Sequence, residues 1–259
     1  MHVSTKTPAG RLTLLAAFVA GLSGSAFAAS PDLVISQVYG GGGSANSAWD
    51  RDFVEIFNRG SAPVSLKGKS LQYQSAGGTT WNAGPTGALP DVTLQPGQYF
   101  LVVGTQVGTG AAIGKFDHAW APALAAASGK VALANGTANM TVATGTGLID
   151  LVGFGGASHA ETAPTPAPSA TTSVQRLNDG CTDTDDNSAD FIAGAVVGPR
   201  HKESTFKTCT PAGPVFQDIV TTCPASLQVS FGSAGSAALS ARDGDSIVDA
   251  IVIASGVTP

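Results

Sequence analysis

Residues 52–60 constrain the fold of this chain more than any other segment. They read Asp-Phe-Val-Glu-Ile-Phe-Asn-Arg-Gly, an apolar run that ends in turn-forming residues. Such a run predicts a buried β-strand followed by a tight turn. Alternation along the strand places Val54 and Ile56 on one face and Glu55 on the other with the two phenylalanines. A carboxylate on that second face needs either solvent or a partner.

A second apolar run, Leu33–Tyr39, precedes this segment, and a glycine-rich loop at residues 40–43 joins the two. Only 12% of the chain is charged, and β-forming residues alternate with clusters of Gly, Pro, Ser and Thr. These patterns favour an all-β fold of short strands. The glycine loop lacks the Gly-Lys-Ser/Thr ending of a phosphate-binding loop, so we interpret it as a flexible connection.

Other apolar runs predict the remaining strands. Residues 94–97, Leu-Gln-Pro-Gly, predict a turn, because Pro-Gly sets turn dihedrals. The alanine-rich residues 121–127 predict a short helix. The predicted strands are residues 63–66, 70–73, 99–103, 130–134, 148–154 and 173–177, and then 227–231, 237–239 and 246–254.

The first 28 residues have the pattern of a secretory signal. Lys6 and Arg11 form the positive end, residues 12–20 form a short apolar core, and Ala-Phe-Ala precedes a cleavage point before Ala29. We therefore predict export to the medium or the cell surface, with no transmembrane segment after removal of the signal. The remaining 11 basic and 18 acidic residues give a net charge of −7, which does not attract phosphate backbones.

Three cysteines, Cys181, Cys209 and Cys223, can form one disulfide in an oxidising compartment. We predict a bridge between Cys181 and Cys209, which would enclose a polar, acidic segment. Spacing alone leaves the connectivity open. Cys223 would then pair outside the chain or remain as a buried free thiol.

Four residues with oxygen ligands stand at close spacing, namely Asp183, Asp185, Asn187 and Asp190. Calcium takes several oxygen ligands, so these residues are a candidate calcium site, and calcium is the one cofactor that we consider. The Gly and the terminal Glu of an EF-hand are missing. The alternative is an acidic, solvated turn in which Asn187 caps backbone donors.

Two further sets of side chains have structural interpretations. Glu55 and Arg176 would form an ion pair if the first and last strands of the fold approach each other, and a structural role for such a pair is favoured over a functional one. Trp49, Trp81 and Trp120 lie in loop-like stretches. They either form a ligand-binding rim or cap the ends of the fold, and we favour capping.

Catalytic motifs are missing from the sequence. It contains neither the His-Glu-x-x-His zinc motif nor the Gly-x-Ser-x-Gly nucleophile elbow. Asp117 and His118 lie in an irregular stretch with no visible nucleophile. We therefore predict no catalytic residue in this chain, and an enzyme would have to depend on His118 or His159.

Six segments carry a family resemblance, namely residues 33–38, 52–58, 64–68, 94–99, 173–176 and 186–191. In sequence and order they resemble the lamin tail domain family. The family implies an immunoglobulin-like β-sandwich, here over residues 30–200. With Cys-Thr-Asp-Thr-Asp at residues 181–185, the chain looks like the copy found in exported bacterial proteins. In some of those, the module precedes an extracellular endonuclease/exonuclease/phosphatase-type nuclease domain.

We divide the chain into a signal peptide (1–28), the lamin-tail-type sandwich (30–200), a linker (201–213) and a truncated second immunoglobulin-like unit (214–259). Three strands are too few to close a second sandwich. The resemblance implies an exported, non-catalytic accessory module in the N-terminal part of a nuclease-associated protein. Its partner would be extracellular nucleic acid or a cell-surface polymer. The alternatives are a stand-alone cell-surface or adhesion protein and a metal-dependent extracellular nuclease.

Overall fold

The computed structural model describes residues 30–141 and 147–209, together with the backbone of three strands between residues 227 and 249. The predicted signal peptide, residues 1–28, lies outside the described residues, and so does Cys223. Across the part of the chain that is described, no helix has both the length and the apolar character needed to cross a membrane.

The strands that the sequence predicted are present where the structure describes the chain, and residues 250–254 of the last one lie outside the described residues. Strands β5, β7 and β11 were not predicted, because a strand of two or three residues is too short to show alternation and β11 is broken by glycine. The elements are β1 (Leu33–Tyr39), β2 (Phe53–Asn58), β3 (Val64–Ser65), β4 (Ser70–Ser75), β5 (Thr93–Leu94), β6 (Tyr99–Gly104), β7 (His118–Trp120), β8 (Gly129–Ala134), β9 (Leu148–Phe154), β10 (Thr172–Arg176), α1 (Asn187–Asp190), β11 (Phe191–Ala195), β12 (Leu227–Phe231), β13 (Ala237–Asp243) and β14 (Ser246–Asp249).

Two sheets form the sandwich. The larger sheet has the order β11-β10-β1-β2-β6-β7, and the smaller one has the order β4-β8-β9. Strands β3 and β5 form a short ribbon, and β6 and β7 are the one parallel pair among the strands described. The predicted all-β, immunoglobulin-like fold is confirmed. Strands β12, β13 and β14 form an antiparallel three-stranded sheet.

The main core lies between the two sheets. Its side chains come from alternate positions of the facing strands, as period-two alternation requires. Val54 and Ile56 belong to this core, whereas Phe53 and Phe57 lie in two other apolar clusters, so the predicted facing of β2 is confirmed. Large contributors to the core include Leu33, Ile35, Phe100, Val102, Leu71, Val131, Leu133, Val152, Phe154 and Phe191.

A β-bulge at Ser36 adjusts the alternation of β1. Ile35 pairs with Ile56 and Gln37 pairs with Glu55, so Ser36 is the extra residue. The insertion lets Ile35 and Val38 both enter the main core, although they are three positions apart, an odd number that would otherwise place them on opposite faces. It also brings the Ser36 hydroxyl to 2.6 Å from the Glu55 carboxylate.

The outer face of the larger sheet is buried as well, because residues 196–209 lie across it. We call these residues the covering segment. Val196 packs against one outer apolar cluster, and Cys209 packs against another. The backbone amide of Lys207 donates to the carbonyl of Gly97 at 2.8 Å. Residues 201–209, which we assigned to a linker, are therefore attached to the sandwich, while the domain boundaries remain a prediction.

The predicted helix over residues 121–127 is wrong, and this stretch is a loop. The amide of Leu124 donates to the Asp52 carboxylate at 2.8 Å, and the amide of Ala125 donates to the Tyr73 hydroxyl at 3.1 Å. These tertiary partners replace the carbonyls that a helix would offer, so context overrides the helix propensity of alanine.

The glycine-rich loop after β1 is closely packed rather than a free connection. A Cβ atom on Gly40 would lie 2.3 Å from the carbonyl oxygen of Ala125, and one on Gly42 would lie 2.0 Å from the carbonyl carbon of Arg51. Glycine is required at these positions because neighbouring backbone approaches too closely for any side chain.

Candidate functional site

The largest buried charge network centres on Arg176 in β10. Its side chain has no exposed surface. Its Nη2 atom donates to both oxygens of Asp150, at 2.9 and 3.0 Å, and its Nη1 donates to Asp183 at 2.9 Å. Its Nε donates to the carbonyl of Ile35 at 3.0 Å, and Asp190 lies 3.5 Å away. One guanidinium therefore neutralises acids from three separate parts of the chain.

The predicted ion pair between Glu55 and Arg176 is wrong. Val174 and Arg176 alternate onto the inner face of the larger sheet, where Val174 enters the main core. Glu55 points from the outer face of the same sheet, so the two charges lie on opposite sides. Each has found another partner, Asp150 for Arg176 and Arg200 for Glu55.

Two of the four predicted calcium ligands join the Arg176 network. Asp183 binds Arg176 and also accepts a hydrogen bond from the amide of Ser30 at 2.9 Å. Asp190 accepts hydrogen bonds from the amide and the hydroxyl of Thr184, at 2.8 and 2.7 Å. Both carboxylates thus have donors from the protein itself.

The other two predicted ligands lie in different surroundings. Asn187 is fully buried and bonds to the backbone of Gly153 and Leu151, at 2.8 Å each, and to Glu161. The residue that caps α1 is Asp186, which accepts from the amide of Ser188, so the prediction that Asn187 is the cap is wrong. Asp185 adopts a positive φ of 57°.

Three carboxyl groups, those of Asp150, Glu161 and Asp183, have oxygens within 4.8 Å of one another. This group shares only Asp183 with the predicted calcium set, and calcium binding remains a prediction. Burial raises the pKa of Glu161 to about 9, and the charge of Asp150 adds to the rise while Arg176 opposes it. Glu161 therefore holds a proton at neutral pH inside a cluster that carries too many acids for one arginine.

This proton makes the stability of the fold depend on pH. Between the ordinary glutamate value, near 4.5, and about 9, the folded chain holds one proton more than the unfolded chain. Stability should therefore fall as pH rises through this window, by up to ~1.4 kcal/mol per pH unit. Glutamine has the size of glutamate but cannot ionise. We therefore expect the unfolding free energy of E161Q, measured with urea, to differ less between pH 5.5 and pH 8 than that of wild type.

The exposed Glu203 supplies the matched control, because it pairs only at the surface with Lys115. The variant E203Q should keep the wild-type dependence on pH. Equal slopes for wild type and E161Q would show that Glu161 is ionised in the folded chain.

A second charge network holds the covering segment to the sheet. Glu55 has no exposed surface and accepts from Arg200 Nη2 at 2.8 Å, from the Arg200 amide at 2.7 Å and from Ser36. The Arg200 guanidinium lies 3.9 Å from the Tyr99 ring centroid and donates to the Tyr99 hydroxyl at 2.7 Å. It also binds Asp179 at 3.1 Å.

The predicted disulfide between Cys181 and Cys209 is present, and it closes the covering segment onto the turn after β10. The two cysteines are 28 residues apart in sequence. A loop of this size typically contributes ~3 kcal/mol by restricting the unfolded chain.

We expect the double variant C181S/C209S to lose about this much stability in urea unfolding. It should also be cleaved first within the covering segment during limited proteolysis. Unchanged stability and cleavage would show that the ion pairs alone hold the covering segment.

A cavity of ≈230 Å³ opens at one end of the larger sheet. Its walls come from the loops at residues 40–44, 104–106 and 121–126, which follow β1, β6 and β7. Asp52, just before β2, contributes the cavity's carboxylate. Its two oxygens accept from the amides of Gly42 and Leu124, at 2.8 Å each.

The three tryptophans and the two candidate catalytic histidines do not form a common site. Trp81 and Trp120 are each only 3% exposed, and Trp49 packs against an outer cluster, so their burial fits a packing role. His118 lies in β7 of the larger sheet and bonds to the carbonyl of Thr86 at 2.9 Å. His159 follows β9 of the smaller sheet.

Sequence reasoning missed Asp150, Glu161, Arg200 and Asp52 as members of these sites. A usable signal existed for Asp150, which interrupts the apolar run of β9. Another existed for Arg200, because Glu55 on a buried face requires a cation. The sequence offered no comparable signal for Glu161 or for the cavity, because loop packing determines both.

Residues 26–156 match the sequence model of a family described as Lamin Tail Domain. The match covers slightly more than half of the chain and includes β1 to β9. Strands β10 and β11, which complete the larger sheet, follow it. A comparison with curated proteins gives no match.

Proposed function

Because this chain belongs to the lamin tail domain family, we propose that it is an exported, non-catalytic binding module that positions a partner for a nuclease domain. The partner is extracellular nucleic acid or a cell-surface polymer. Residues 1–28 direct export and residues 30–200 form the binding module. The linker at residues 201–213, of which residues 201–209 are held against the module, leads to a second β unit that begins at residue 214.

This proposal rests on the observation that the buried carboxylates already have partners within the protein. The acids around Arg176 and the carboxylate of Glu55 are bound by arginines and backbone amides that fasten distant segments together. Catalytic carboxylates instead need open positions at which a substrate or metal can bind. The charged residues in the described core therefore support a structural role.

The disulfide between Cys181 and Cys209 supports export, since such bonds persist in oxidising compartments. N-terminal sequencing of the protein recovered from the culture medium tests this part. We expect the mature chain to begin at Ala29. A protein that remains in the cytoplasm with residues 1–28 attached would contradict it.

Immunodepletion tests the association with a nuclease. Antibodies raised against residues 30–209 should remove DNA-degrading activity from the culture medium together with the protein. Depletion with antibodies preabsorbed on the purified chain is the control. Activity that stays in the medium after complete removal of the protein would contradict the nuclease association and favour a stand-alone surface protein.

A further inference from the structure

The cavity at the loop end of the larger sheet is a candidate binding site. We infer that this cavity binds a primary ammonium group on an alkyl stem, such as a lysine side chain of a partner or a free diamine. The inference rests on the proposed binding function and, of the two proposed partners, favours a cell-surface polymer that carries amino groups over nucleic acid.

The size of the cavity suits a small ligand. At ≈230 Å³ it is smaller than the roughly 300–1,000 Å³ of pockets for drug-sized ligands. Of its 13 lining residues, four are glycine and three are alanine, so much of its wall is backbone that a slender ligand can approach closely. Aromatic residues, on which a base or sugar ring would stack, are missing from this lining.

The charge of the cavity selects a cation. Asp52 is its only ionisable lining residue in the described structure. Each Asp52 oxygen accepts one backbone hydrogen bond, whereas a carboxylate has about four acceptor positions, so about two remain for a ligand. Arg51, the adjacent residue, instead contacts the carbonyl of Gly104 and the ring of Phe116.

The direction of the Asp52 pKa shift agrees with a cationic ligand. Burial raises its pKa, and the amides of Leu124 and Gly42 oppose the rise. A carboxylate that is incompletely compensated in this way gains most from a cation placed beside it. A phosphate would instead meet a like charge, which agrees with the missing phosphate-loop motif.

The position in the fold is also suited to binding. The three loops belong to one end of an immunoglobulin-like sandwich, where loops held by rigid strands commonly carry ligand contacts. The Gly42 and Leu124 amides, which hold Asp52, give the site its own spectroscopic reporters.

The test is a titration of the polypeptide of residues 29–259, followed by amide NMR. Nα-acetyl-lysine N-methylamide should shift the Gly42 and Leu124 resonances saturably. The norleucine analogue, which lacks the ammonium, should not. Cadaverine forms a second arm: binding of cadaverine without the lysine derivative assigns the site to free diamines, and binding of both assigns it to any alkylammonium.

Two aspartate variants separate the cavity from the rest of the surface. Asp52 is the ionisable residue of the cavity lining, so D52N removes the charge and keeps the size of the side chain. We expect affinity to fall at least about tenfold in D52N. Asp91 is exposed, pairs with Lys67 and lies outside the cavity, so D91N should bind within about twofold of wild type.

Three results would overturn the inference: equal shifts with the norleucine analogue, wild-type affinity in D52N, or no shift with either amine. None of these results bears on catalysis. If the protein binds no ammonium group and does not hydrolyse DNA, only the ammonium inference fails and the proposed non-catalytic function stands. If the chain hydrolyses DNA, the proposed function itself fails.

Discussion

The variant R176M should lose at least ~3–5 kcal/mol of unfolding free energy, because it leaves the buried Asp150 carboxylate without its cation. Methionine fills most of the arginine volume, so the loss reports charge rather than a cavity. Asp150 and Asp183 would then face each other with side chains about 1% exposed. Urea unfolding followed by circular dichroism measures the effect.

The variant R176K should fall between wild type and R176M. Lysine keeps the charge but cannot bind both Asp150 oxygens while also reaching Asp183 and the Ile35 carbonyl. The control is K67M, which breaks an ion pair between two exposed side chains and should leave the midpoint unchanged. A midpoint for R176M equal to that of wild type would contradict the structural role of this network.

The variant R200M should cost ~3–5 kcal/mol, because it leaves Glu55 as an unpaired charge under the covering segment. Arg200 is 23% exposed and Glu55 is fully buried, so solvent reaches the arginine far more than the carboxylate. Urea unfolding gives the size of the loss, and limited proteolysis shows whether the covering segment becomes accessible.

The double variant E55Q/R200M tests the physical reason for this loss. Glutamine has no charge to bury, so the double variant should recover part of the stability that R200M loses. Equal losses in R200M and E55Q/R200M would show that packing against Tyr99, rather than the charge of Glu55, determines the cost.

The sequence was sufficient for the parts of the fold that depend on alternation. Residues Phe53–Asn58 and Tyr99–Gly104 are strands because their apolar side chains alternate between two buried faces. The position of Glu55 on the outer face followed from the same rule. The loop conformation of residues 121–127 could not be predicted from local sequence, because amides in this loop bond to Asp52 and Tyr73, which are distant in sequence.

The buried charge networks could be predicted only in part. A carboxylate on a buried face predicts that a basic side chain lies beside it, but it does not show which basic residue of the chain this is. Glu55 and Arg200 are 145 residues apart, and Arg176 and Asp150 meet across the sandwich. Pairings of this kind depend on the path of the covering segment and on the packing of the sheets, for which a single sequence holds no local pattern.

Incubation of the purified polypeptide of residues 29–259 with plasmid and single-stranded DNA tests the central claim most directly. Reactions with Mg²⁺, Ca²⁺ or Mn²⁺ are compared with a reaction in EDTA. The account predicts no cleavage above the EDTA control at any protein concentration. Metal-dependent cleavage that scales with the amount of protein and disappears in H118A or H159A would contradict it.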